Sequence, residues 1–495
     1  MKAWLERRSG WILVVALLTG AGLRWLQIGA HGFWYDEALS ALIARLSLTQ
    51  ILANAAASDH PPGYYLLLHF WLSLGQSEAA IRSLSALFSL GAVPLVYGLG
   101  RWLFGRSAAA LAALGMALFP FQVYFAQEVR MYGVAVFLAT ALMWLFLYSV
   151  IFEGTWWSWV GYALVAACGL CVHYFIALLL IGLHFWFALG LRQHRAVVQP
   201  LLVADSAVAL LFLPQARQAL VRTGAYLDGV AWQASPSILS PLTTIYYLLF
   251  GHRAPIWLVP IGLFLTLAVL SLTLWEGRSR PEPGRRSEVA LWFSLVIPIA
   301  IVMLISWLIR PIYLERSFTV TSPALVLLLA RGATATPRRS PTPYLAALLA
   351  VPVIVTLVAS VVTPDPARPP VREASRMVEA GFVSGDVSLH LQDASCMSAL
   401  WYAPDVPHLL ADVPGAAWTI ASTHRLFGGD VVDWPSALAG ANRLWLTVMP
   451  GYNGPEQVAV HQTIASTYPR LAMEDMGAVQ LYLYDLQARS DSAMR

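Results

Sequence analysis

The stretch HGFWYDEALSALIARL, residues 31–46, sets Asp36 and Glu37 side by side in a chain that is 58% hydrophobic. Asp59 and His60 follow in SDHPPGYYLLLHFW, Glu128 and Arg130 lie in YFAQEVRMYGV, and Arg310 and Arg316 flank PIYLE. These residue types have defined uses. A positioned carboxylate takes a proton from a hydroxyl as that hydroxyl attacks. A guanidinium fork matches the oxygens of a phosphate. Asp36, Asp59 and His60 can also gather round a divalent ion, with His173 or His252 supplied from other loops, although no tight ligand spacing marks such a site. Each residue has a plainer use as well: a solvated carboxylate, a helix cap, an interfacial Glu128–Arg130 ion pair, or an Arg316 that snorkels to the interface. Helix neighbours do not face the same way, so if Asp36 faces a cavity, Glu37 faces elsewhere.

The elements around these residues are greasy. Mean hydropathy is +0.64 and only 12% of residues are charged, about half the fraction of a soluble domain. Apolar runs long enough to cross a bilayer recur at 10–29, 80–103, 107–122, 131–152, 156–174, 176–191, 197–217, 255–276, 289–309, 316–331 and 343–363. This is the pattern of a polytopic α-helical membrane protein with about eleven spans. A charge at the bilayer centre costs about 2.5–3.5 kcal/mol. The acids and arginines above therefore belong at an interface or facing a wet cavity.

With the N-terminus in the cytoplasm, the inside loops are KAWLERR, RWLFGR, LRQHR, EGRSRPEPGRRSE and RGATATPRRS, all basic. The outside loops carry no basic clusters. MKAWLERRSG followed by WILVVALLTGAGL mimics a signal peptide, and an uncleaved first span is the expectation. The net charge of +4 comes from these arginine clusters and gives no sign of a nucleic-acid partner. Cys168 and Cys171 sit three apart in an apolar segment, where core packing is expected, and Cys396 is remote.

Two regions depart from simple spans. In 31–79, Leu39, Leu42, Ile43 and Leu46 have helical spacing for an amphipathic interfacial helix. Ser47 with Gln50 fits a capping box, and Pro62 can open a helix over GYYLLLHFW. After the Pro-rich exit VVTPDPARPPVREAS, the tail 364–495 changes character. GDVSLHL, RLWLTVM and QLYLYDL predict strands, and REASRMVEAGF a helix, as in a small α/β domain outside the membrane. The predicted division is thus 1–363, a membrane domain that includes loop 31–79, and 364–495. The tail has no Gly-rich phosphate loop, nucleophile elbow or HExxH motif.

The pairing of Asp36-Glu37 with His60-Pro61-Pro62 in the loop after the first span resembles the GT-C glycosyltransferases. The likeness is to bacterial members related to protein O-mannosyltransferases (family 39) and lipid A aminoarabinose transferase. YFAQEVRMYGV, Tyr124 to Val134, resembles the motif of their second outer loop, and PIYLERSFTVTSPALVLLLARG their late span that opens on a basic residue. In the aminoarabinose transferases a Lys precedes the two prolines; here it is His60, which leaves donor-phosphate recognition at that position open.

The resemblance implies an inverting transfer of sugar from a polyprenyl-phosphate donor, such as an undecaprenyl carrier, to an acceptor at the outer face of a bacterial cytoplasmic membrane. The acceptor can be a lipid, a glycan or a protein. Mapped residue by residue, Asp36 becomes the base and Glu37 its neighbour in orientation. Tyr35, Asp59, His60, Tyr64, Glu128, Arg130, Tyr132 and Arg316 become contacts to donor or acceptor, with the arginines meeting the charge on the leaving phosphate. No cofactor follows from the pattern beyond the divalent ion already considered. Two other classes fit a polytopic chain: a transporter or flippase, which would favour mid-span charges and inverted repeats, and a non-catalytic scaffold of glycan assembly, in which exchange of Asp36 is silent.

Overall fold

The computed structural model describes the chain apart from residues 1, 56–59, 229–232, 279–283, 335–340, 364, 366, 414–425 and 489–495. It divides into two compact units. The first comprises Met1–Ile28, Ser47–Trp71 and Arg82–Pro364, and the second Gly29–Leu46, Leu72–Ile81 and Asp365–Arg495. The chain changes unit between Pro364 and Asp365. Two pieces of the loop assigned to the membrane domain, however, group with the C-terminal residues. The reason is packing: helix Tyr35–Arg45 lies along helix Asp393–Tyr402.

The first unit is helical. Among the described residues, six helices are long and apolar enough to cross a membrane: Glu78–Phe104, Tyr132–Ile151, Arg195–Ala216, Ile256–Gly277, Arg285–Leu308 and Thr342–Val362. A bent pair, Arg106–Leu118 and Pro120–Ala126, makes a seventh if taken as one span. Helices Trp156–Val172 and Phe175–Leu189 are apolar but shorter. Helix Lys2–Trp25 occupies the first predicted segment and Ser322–Ala333 most of the tenth. Cys168 is exposed, on the outward face of Trp156–Val172, and is not packed in the core as expected.

The expected span 107–122 is broken, because Pro120 lacks an N–H and its ring blocks the carbonyl four residues back. Helix Arg106–Leu118 stops, and Pro120–Ala126 restarts at 51° to it. A bilayer offers no water to the carbonyls so freed. Arg24, fully buried, supplies the donors. Its Nη2 donates to Met116 O and its Nη1 to Ala117 O, both at 2.9 Å. Nη1 also donates to Gly20 O at 3.2 Å, and Nε to Ser89 Oγ at 3.0 Å. In return, Gln127 Nε2 caps the C-terminal end of Lys2–Trp25, donating to Leu23 O at 3.0 Å and Leu26 O at 2.9 Å. The turn that carries Glu128 and Arg130 is thereby tied to the first helix.

The second unit is α/β. Strands β1 (Asp386–His390), β2 (His408–Ala411), β3 (Asp430–Val432), β4 (Arg443–Val448), β5 (Arg470–Asp475) and β6 (Gln480–Asp485) form one sheet in the order β3-β2-β1-β4-β6-β5. Pairing is parallel among β3, β2, β1 and β4, and antiparallel from β4 to β6 and β5. Leu389, Leu444, Leu446 and Ile464 are fully buried at its centre. The three predicted strands are β1, β4 and β6, and the predicted helix is Val371–Gly381.

Candidate active site

Within the first unit, the HPPG turn, the turn after Ala126 and the junction at His173 come together. Close backbone contacts require two glycines there. A Cβ on Gly63 would stand 2.4 Å from Cys171 O, and one on Gly133 2.3 Å from Ser85 O. Tyr64, opening helix Gly63–Trp71, has its Oη 3.2 Å from Ser85 Oγ. Ser85 in turn donates to the carbonyl of Arg130 at 2.8 Å. The backbone at Arg130 is thus held from both adjoining elements.

The side chain of Arg130 is 3% exposed, and its Nη2 lies 2.7 Å from His60 Nε2. A guanidinium has only donors, so His60 Nε2 accepts and the imidazole is neutral, with its proton on Nδ1. His173 accepts at Nδ1 from the N–H of Phe175 at 3.1 Å, which leaves its proton on Nε2. The two imidazoles have centroids 6.4 Å apart, and Tyr132 lies 6.2 Å from His173.

The electrostatics agree with this geometry. Burial first, then the charges of Arg130 and Arg316, hold His60 well below the usual imidazole range. Burial and then Arg130 lower His173 to about 3. Tyr247, on helix Ser240–Phe250, is pushed up mainly by burial and next by Glu128, with Arg316 opposing. Glu128, Arg130, Arg316, Tyr132, Tyr247 and the two histidines therefore share one electrostatic neighbourhood. Tyr124 stacks edge-on to His252 at 4.5 Å on its border. This group can hold a multiply charged anion by a preorganised guanidinium beside neutral imidazoles and phenols.

Of the sequence-predicted residues, His60, Glu128, Arg130, Tyr132 and Arg316 fall in this group, and Tyr64 adjoins it through Ser85. Asp59 lies outside the described residues. Tyr35, Asp36 and Glu37 begin helix Tyr35–Arg45, in the second unit. There Glu37 is fully buried and Asp36 is part-exposed. Among the described residues no three His, Cys, Asp or Glu side chains are grouped to hold a metal. Sequence reasoning gave no part to Ser85, Tyr247, Gly63 or Gly133. The HPPG and MYG glycines were a readable sign of close backbone approach.

A family model described as dolichyl-phosphate-mannose-protein mannosyltransferase matches residues 59–216, a stretch that includes His60, Arg130 and His173. None of the curated proteins compared with the sequence matches it. Among solved structures, ArnT from Cupriavidus metallidurans bound to undecaprenyl phosphate aligns with a TM-score of 0.65 at 12% identity, covering 97% of this chain and 98% of that one. The Archaeoglobus fulgidus oligosaccharyltransferase in its apo form aligns with a TM-score of 0.54 at 10% identity, covering 90% and 70%. The same organism's AglB, in complex with an inhibitory peptide and a dolichol-phosphate, aligns at 0.50 and 10%, covering 98% and 74%. The chain shares its fold with these solved structures.

Proposed function

We propose that this protein is an inverting glycosyltransferase that moves a sugar from a polyprenyl-phosphate donor to an acceptor at the outer face of a bacterial cytoplasmic membrane. The N-terminus is inside, the active site and the C-terminal unit are outside, and about eleven helices cross the membrane. The observation that carries this reading is the buried Arg130, oriented by His60, in a GT-C fold. Two proteins of similar fold have been solved with polyprenyl phosphates, the ArnT structure with undecaprenyl phosphate and AglB with a dolichol-phosphate.

In the reaction, an acceptor hydroxyl attacks the anomeric carbon from the face opposite the phosphate. The new carbon–oxygen bond forms as the bond to the phosphate oxygen breaks, and the configuration inverts. Asp36 takes the hydroxyl proton, and Glu37 orients the helix that carries it. The leaving polyprenyl phosphate gains charge, which Arg130 and Arg316 meet with donors fixed in advance. Tyr35, Tyr64, Glu128 and Tyr132 contact donor and acceptor.

The test uses membranes containing the protein or its Asp36→Asn variant at equal expression. A panel of labelled polyprenyl-phosphate sugars is supplied with native membrane extract as acceptor source, and donor consumption is followed. Consumption with the native protein that falls about 10²–10⁴-fold in the variant is the expected result. Equal consumption in both removes Asp36 as base, and no consumption with any donor overturns the transferase reading.

A further inference from the structure

Helix Tyr35–Arg45 has no side-chain cap at its start; its N-cap is Trp34, which makes none. The segment that leads into it is held within the second unit by residues from the C-terminal part of the chain. Arg372, on helix Val371–Gly381, donates from Nη2 to Ala30 O at 3.0 Å. Tyr402, at the end of helix Asp393–Tyr402, accepts at Oη from the N–H of Phe33 at 2.6 Å. Both grips meet at Glu78, whose Oε1 accepts from Arg372 Nη1 at 3.0 Å and from Tyr402 Oη at 3.1 Å. Packing closes the arrangement. Phe33 is fully buried, its ring 5.5 Å from Trp401 and 6.0 Å from Tyr402. A Cβ on Gly32 would stand 2.7 Å from Arg372 Cβ, so that position needs glycine. At the other end of the helix, the Arg45 guanidinium sits 3.5 Å over the Trp401 ring.

We infer that Tyr402, Glu78 and Arg372 are positioning residues that set the placement of Asp36 through residues 30–33, which gives the C-terminal unit a part in the chemistry. The inference rests on the reading of Asp36 as the base. Asp36 lies in the first turn after Phe33, so freedom at Phe33 becomes freedom at the carboxylate. A misplacement of about 1 Å can cost on the order of 10²-fold in rate.

Two readouts on the full-length protein in nanodiscs separate the inference from that reading. Hydrogen exchange, which needs no ligand, is measured over residues 29–46 and over β1 and β4. Tyr402→Phe and Glu78→Ala are expected to speed exchange at 29–46 about 10-fold, the scale of one lost buried hydrogen bond, while β1 and β4 keep native protection. Glu78→Gln, which retains an acceptor oxygen, restores most of it. Donor consumption from the same labelled polyprenyl-phosphate panel is expected to show kcat lowered about 10-fold or more with KM for donor within twofold.

Unchanged exchange at 29–46 in Tyr402→Phe and Glu78→Ala overturns the latch. Faster exchange spread through β1 and β4 also overturns it, because the residues are then general structural supports. Faster exchange confined to 29–46 with kcat unaltered overturns the link to chemistry while leaving the latch. Failure of the transferase reading is seen separately, as donor consumption that does not depend on Asp36.

Discussion

At His60 the structure changes the chemistry expected at the position before the two prolines. Its Nε2 faces Arg130 at 2.7 Å and must accept, so the ring serves as an oriented acceptor and not as a cation. The residue that matters there is one able to accept from a guanidinium. His60→Gln, which places an amide oxygen in reach, is expected to keep turnover within about threefold, whereas His60→Ala, leaving Arg130 without that acceptor, lowers it about 10-fold. The assay is donor consumption at saturating donor. Equal activity of the Ala and Gln variants would remove the orienting role. Burial and the nearby arginines keep His60 neutral well below the usual imidazole range, so it contributes no step to a pH–rate profile between pH 6 and 8.

Among the elements, the bend at Pro120 decides where the turn carrying Glu128 and Arg130 stands. Proline ends helix Arg106–Leu118, Arg24 satisfies the carbonyls of Met116 and Ala117, and Gln127 caps the first helix in return. Arg24→Met keeps much of the side-chain volume but strands those carbonyls in an apolar surround. A buried acceptor left unmet costs about 1–3 kcal/mol, so two predict a loss of several kcal/mol. The expected readout is a lowered unfolding midpoint in detergent, followed by tryptophan fluorescence. A midpoint equal to that of the native chain would show that the carbonyls are satisfied some other way.

For the molecule taken whole, the second unit adds a pH dependence of its own. His408, in β2, is nearly fully buried, with Nε2 donating to Ala403 O at 3.0 Å and Nδ1 facing Ser388 and His390. Burial lowers it to about 4, against about 6.5 in an unfolded chain. The folded form therefore binds the proton more weakly. Stability is complete above about pH 6.5, falls as pH drops, and levels off near pH 4, for a total of about 3 kcal/mol. The protection factors of β1 and β2 amides in the full-length protein, that is, exchange corrected for its intrinsic pH dependence, should fall across that window as pH is lowered. His408→Gln should flatten the dependence, and an unchanged slope in that variant would assign it elsewhere.

What local rules reach was readable from the residues alone. The apolar runs gave the helices. The Ser47–Gln50 capping box is formed, with Ser47 Oγ donating to Gln50 Oε1 at 2.8 Å and Ser47 N–H to the same oxygen at 3.0 Å. Pro62 precedes helix Gly63–Trp71 and alternation marked β1, β4 and β6, because caps, proline and side-chain period act within a few residues. The break at Pro120 is legible in the same way, since proline acts locally, although the apolar run continues through it. Only the tertiary structure decided the pairings between distant segments. His60 meets Arg130 across 70 residues, Arg24 meets Ala117 across 93, and Tyr402 holds Phe33 across 369. No local period encodes such contacts: each depends on which buried polar groups remain unmet once the helices have packed.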